Sequence, residues 1–327
     1  MEEIKKSLKN NSSQNKGGAS LLPGIAVLLA VLLIFSQVFY ISFSFKPKWI
    51  LIKTSSGLRL VKNPEMLKIK AEQIESGLAE AVTPAQGITI LANWEDLGKK
   101  LVETGVIDED KFYSLYEERE GLAEYEKKLL EEDKNAEIVI NSANANFILN
   151  LLWAFGLANK NRILEEGPMT DEKYGGDAGR FASTGGWSLA KGNAMDHYNT
   201  HDFVTLTEGE QKLVEEVAKN IYRPCCGNSV YFPDCNHGMA MLGLLELMAA
   251  GGATEQQMYD TALGVNSFWF PDTYMTIGKY FAQRGVYWDD VDAKEVLGSL
   301  YSSAQGYAQI AREVEPITSG GGGSCGV

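Results

Sequence analysis

Charged and uncharged positions fall in blocks along this chain. Residues Ala19 to Phe45 carry no charged side chain, and the stretch Leu21 to Phe43 is apolar almost throughout. A helix needs roughly 20 apolar residues to cross the hydrocarbon core of a bilayer, so the run predicts a single transmembrane helix over residues 19–45. The far side of the run, Val38-Phe39-Tyr40-Ile41-Ser42-Phe43-Ser44, is too bulky for a signal-peptidase site. An uncleaved signal anchor is the expectation. Lys5, Lys6, Lys9 and Lys16 precede the run and Lys46, Lys48 and Lys53 follow it, so the flanking charges discriminate little between orientations. A short tail normally stays behind while a long domain is exported. Residues 1–18 are therefore expected in the cytoplasm and the C-terminal domain outside.

Beyond the anchor, Trp49–Lys53 and Leu58–Lys62 are β-leaning runs around Ser55-Ser56-Gly57, which predicts a hairpin within a linker over 46–63. From residue 64 to 315 the apolar spacing turns helical. Helices are expected over Met66–Val82, Trp94–Glu103, Glu109–Glu132, Asn141–Asn159, Glu210–Tyr222, Asn236–Ala250, Thr254–Leu263, Asp272–Arg284 and Asp292–Val314. Asp108 reads as an N-cap, Pro224 as a helix stop and Gly251-Gly252 as another. Asn141–Asn159 and Asn236–Ala250 are apolar on nearly every side, the signature of central core helices. Gly167–Gly192 reads as a long loop, and residues 316–327 as a Gly-rich flexible tail carrying Cys325. The expected fold is mostly α: one N-terminal transmembrane helix, then an α-helical globular domain with a small β-hairpin.

Composition narrows the function. The net charge is −13 over 327 residues, with 43 acidic side chains against 30 basic. A nucleic-acid binder needs a basic face, so that class is set aside. Four cysteines exclude a disulfide-dense scaffold.

The cysteines and histidines are clustered. All three histidines and three of the four cysteines lie between His197 and His237. On a helix, His197 and His201 in Asp196-His197-Tyr-Asn-Thr-His201 would share one face. Cys225-Cys226 lies just past the end of one helix, and Cys235 and His237 open the next, about ten residues on. Thiolate and imidazole together suit Zn, Cu or Fe better than Mg or Ca. A helix N-terminus favours thiolate at Cys235, and Arg223 pushes in the same direction. The expected ligands of a transition metal ion are thus Cys225, Cys226, Cys235 and His237, with His197 and His201 next, and Asp196 and Asp234 as orienting partners. HExxH, CxxC, a phosphate loop and G-x-S-x-G are all missing.

Two alternatives stand beside this reading. The first is a thiol-disulfide oxidoreductase using Cys225, Cys226 and Cys235 with Cys325 as a mobile arm. The second is a non-catalytic envelope scaffold or ligand-binding module. There, Phe268, Trp269, Phe270 and Tyr274 would line a groove and Trp187 would serve as its lid; the same aromatic cluster reads more readily as core. Whether the chain is an enzyme, and on what substrate, is left open by the sequence.

Overall fold

A computed structural model describes residues 49–54, 57–62 and 77–318, apart from residues 120, 133, 135 and 136. The expected anchor at 19–45, the tail 1–18 and Cys325 lie outside the described residues. No helix among the described residues is long and apolar enough to cross a membrane. The chain divides into two units, Met1–Lys70 and Ala71–Val327.

In the first unit, β1 (Trp49–Thr54) and β2 (Gly57–Lys62) form an antiparallel hairpin. Trp49 pairs with Lys62 and Thr54 with Gly57 across the Ser55-Ser56 turn. This is the hairpin that the two β-leaning runs predict.

The second unit is helical. It begins with a helical end at residues 77–82, the C-terminal part of the expected Met66–Val82 helix. Next come α1 (Leu97–Glu103), α2 (Glu109–Ser114), α3 (Glu124–Glu131), α4 (Ala145–Ala158) and α5 (Arg162–Glu166). Then follow α6 (Glu208–Asn220), α7 (Asn236–Ala250), α8 (Glu255–Trp269) and α9 (Pro271–Gln283). The series closes with α10 (Ala293–Leu297), α11 (Ser299–Ser302) and α12 (Ala304–Glu313). A second small sheet pairs β3 (Ile88–Ile90) with β4 (Ile138–Ile140), antiparallel. Each strand has three residues, too few for an alternation to stand out in the sequence.

Two expected helices are broken. Glu109–Glu132 becomes α2, a 3-10 turn at Glu117–Arg119 and α3. Gly121 between them has φ 87°, a left-handed conformation that glycine adopts without strain. Asp108 does cap α2, its side chain accepting from the Lys111 N–H. Asp292–Val314 becomes three short helices, interrupted at the extended residues Gly298 and Ser303.

The centre of the unit is the pair α4 and α7. Every residue of α4 but Asn146 is buried, and α7 is buried from Asn236 to Ala249. Their backbones cross where two glycines meet. A Cβ on Gly156 would fall 2.3 Å from the Met239 carbonyl, and one on Gly243 would fall 2.7 Å from the Leu152 carbonyl. Only a missing side chain allows that approach. Helix α6 packs beside α7, with Val214, Val217 and Ala218 buried on the shared side. This packing fixes the end of α6 beside the start of α7, and the cysteines lie on the segment between them.

Candidate metal centre

Helix α6 ends at Asn220, and the chain turns through Tyr222-Arg223-Pro224 into the cysteine loop. The loop is pinned at its base by a backbone bridge between Tyr222 and Ser229. It returns to α7, whose N-cap is Cys235. The Cys235 sulfur accepts from the Gly238 N–H at 3.4 Å, which satisfies one of the free donors of a helix start. The Cys225 and Cys235 sulfurs are 3.6 Å apart and carry no disulfide. Cys225, Cys235 and His237 offer ligand atoms that all lie within 4.8 Å of one another, and so do Cys226, Asp234 and Cys235. Cys235 belongs to both groups.

Arg223 lies beside this cluster. It is fully buried, with Nη2 donating to Asp234 Oδ1 at 2.8 Å. Asn228 Nδ2 donates to the other oxygen, Oδ2, at 2.8 Å. Both oxygens of Asp234 are therefore engaged, so it steadies Arg223 and the loop. A Cβ on Gly238 would meet Arg223 Cζ at 2.8 Å, so the guanidinium lies against the first turn of α7. A cation at a helix N-terminus is unfavourable unless anions surround it. Burial works against the charge of Arg223, but Cys235, Cys226, Asp234 and Cys225 more than offset this and raise its pKa.

The charges sort the three thiols. Hydrogen bonds from Cys225 and Cys226 bring Cys235 well below the usual thiol range, helped by Arg223 and His237 and opposed by burial. Cys225 is pushed up by its bonds to the other two cysteines and by burial. Cys226 is also raised, by Cys235 and burial against Cys225 and Arg223. Of the three sulfurs, Cys235 is the one whose surroundings favour the thiolate. His237 is buried, and its Nδ1 has no hydrogen-bond partner among the described residues.

The aromatic residues form the wall and not a groove. The Phe270 ring centroid lies 4.4 Å and that of Trp269 5.7 Å from the His237 ring. Phe268, Trp269, Phe270 and Tyr274 are all buried, and the Tyr274 hydroxyl bonds to Ser302 Oγ at 2.8 Å. Trp187 does not act as a lid. It is buried against Trp153 and donates to the Val106 carbonyl at 2.8 Å. In each case burial of a large ring in the core wins over exposure at a surface.

His197 and His201 do meet, but not on a helix. His197 caps the 3-10 turn Ala194–Asp196, and Asn199 between the two histidines takes φ 52°. The Nδ1 of His197 is 3.2 Å from the Nε2 of His201, and the other His197 nitrogen is 3.3 Å from the Lys191 carbonyl oxygen. His201 also stacks on Phe203. Burial and the neighbouring His197 lower its pKa. The pair bonds to itself, and neither ring joins the two metal-spaced groups found among the described residues. Asp196 is exposed and also stands outside those groups.

Two features escape the sequence reading. Asn228, the second clamp on Asp234, has no pattern to mark it. Glu246 is fully buried in the middle of α7 and accepts from Asn159 Nδ2 at 2.6 Å. Its signal was present, as the one acidic residue in the apolar run Asn236–Ala250. Comparisons with protein-family models, curated proteins and solved structures found no match. Function is therefore read from the site itself.

Proposed function

We propose that this chain holds a soft transition metal ion through Cys225, Cys226, Cys235 and His237, and that its role is metal handling. The observation that carries this is the 3.6 Å approach of the Cys225 and Cys235 sulfurs. With metal–sulfur bonds of about 2.3 Å, two thiolates on one tetrahedral zinc stand about 3.8 Å apart. A disulfide would need about 2.05 Å. The unpartnered Nδ1 of buried His237, and the buried cation of Arg223 beside the cysteines, support the same reading. Cys226 completes the set from the neighbouring group, and Arg223, Asp234 and Asn228 orient the loop.

Zinc fits this donor set first, with Cu(I) and iron as competitors. Small zinc domains need the ion in order to fold, whereas α4 and α7 supply a core that does not depend on it. The three cysteines are half-buried, so the ion is within reach of solvent and of an exchange partner. We place the domain outside the cytoplasm, tethered by residues 19–45.

The test is elemental analysis of the full chain in detergent, purified without oxygen or added metal. The expected result is one Zn, Cu or Fe per chain, lost in both Cys235→Ser and His237→Ala while the helical circular-dichroism signal stays. A metal-free chain that also fails to take up zinc in titration overturns the proposal.

A further inference from the structure

We infer that the metal centre is opened by oxidation: a hydroperoxide converts Cys225 and Cys235 into a disulfide and so expels the ion. This rests on the metal reading above and adds to it the regulation of the same site.

The arrangement of the sulfurs carries the inference. Cys225 and Cys235 stand 3.6 Å apart, ten residues apart in the chain, and both are free. Closing to a disulfide takes about 1.5 Å of sulfur movement. Gly227, between the two cysteines, is exposed, and a Cβ placed there would meet nothing within 4 Å. The Cys226 sulfur also lies within 4.8 Å of Cys235, but it donates to the Asn228 carbonyl oxygen at 3.9 Å, which leaves Cys225 as the partner in direct approach. The attacking sulfur is also marked. Cys235 caps α7, receives the Gly238 N–H, and sits by a buried guanidinium whose Nε and Nη1 lack hydrogen-bond partners among the described residues. That is the electropositive setting of a reactive cysteine. Half-burial admits a molecule as small as hydrogen peroxide.

The chemistry balances with the peroxide as the only oxidant. The Cys235 thiolate attacks one peroxide oxygen. An S–O bond forms, the O–O bond breaks, and hydroxide leaves to take a proton from solvent. Cys225 then attacks the sulfenic sulfur. The S–S bond forms, the S–O bond breaks, and the oxygen departs as a second water with the Cys225 proton or one from solvent. Two sulfurs together lose two electrons, and the peroxide gains them. The ion loses two of its four ligands at once, and Cys226 and His237 alone hold it poorly.

The test uses the full chain in a Cys325→Ser background, so that only the three clustered thiols report. Zinc-loaded protein is treated with hydrogen peroxide in the presence of a chromogenic chelator, with thiol counts and mass-spectrometric mapping of the linkage. One zinc released for every two thiols lost, with a Cys225–Cys235 link, is the expected result. The same link should form in metal-free protein and in Cys226→Ser, and not in Cys225→Ser. A chain that keeps its zinc and all three thiols in excess peroxide overturns the inference and leaves the metal reading standing. A Cys225–Cys226 link also overturns it. A chain that takes up no zinc overturns the metal reading, and the linkage in metal-free protein then judges the thiol step separately.

Discussion

Metal uptake should release two protons, and the count follows from how the cluster is charged. Hydrogen bonds to Cys225 and Cys226, and less strongly Arg223, hold Cys235 well below the usual thiol range, so it is the sulfur expected to ligate without releasing a proton. Cys225 and Cys226 have raised pKa values and hold their protons at neutral pH. Only thiolates ligate, so each of these two must lose a proton on binding. Affinity therefore rises with pH, and falls as acid returns the protons. Each released proton is worth a factor of about ten per pH unit, so two give about 100-fold, or roughly 2.7 kcal/mol. Calorimetric zinc titrations in two buffers of different ionisation enthalpy count the protons directly. Apparent affinities between about pH 7 and 8 check the slope. Three protons would refute the reasoning, because Cys235 would then be an ordinary thiol despite Arg223 and the helix start. One proton would remove either Cys225 or Cys226 from the ligand set. Replacing Arg223→Met together with Asp234→Asn removes the buried cation without leaving a lone carboxylate, and should move the count from two towards three.

Three further outcomes are expected. Asp234→Asn alone strips Arg223 of its carboxylate and should cost about 2–3 kcal/mol in urea unfolding of metal-free protein; this is below the range for a fully buried pair because the Asp234 side chain is 23% exposed. Gly156→Ala should force α4 from α7 and cost about 2–3 kcal/mol, read as a lower denaturation midpoint with an unchanged m-value. Glu246 is raised by burial from near 4.5 to about 8, so the folded state keeps a proton that the unfolded chain gives up. Stability should then fall as pH rises from about 4.5 to 8 and level off above, and Glu246→Gln should flatten that slope.

Much of this protein was legible along the chain because it follows from local spacing. The hairpin from Trp49 to Lys62, the capping of α2 by Asp108 and the two core helices α4 and α7 are set by neighbours in sequence. So is the pairing of a helix end at Asn220 with a helix start at Cys235, which is why Cys225, Cys235 and His237 were readable as a group. Other features depend on contacts between distant segments. The cluster Phe268, Trp269, Phe270 and Tyr274 could by composition line a groove or fill the core, and the fold decides for the core, as it does for Trp187, because large rings gain most by leaving water. His197 and His201 approach through a turn at Asn199 and bond to each other, where an i, i+4 helix would have offered both to a metal.

The sequence by itself determined the helical class, the hairpin, the gathering of Cys and His residues around one helix junction, and a net charge that disfavours nucleic acid. The tertiary structure alone decided which of those side chains share a site. It seated Arg223 out of water against Gly238, clamped Asp234 with Asn228, brought two sulfurs to 3.6 Å, and placed Glu246 where its charge is costly. Spacing along a chain sets backbone preference, whereas burial and charge at a site depend on every segment packed around it, and those segments come from α4, α6, α8 and α9 as well as from the loop itself.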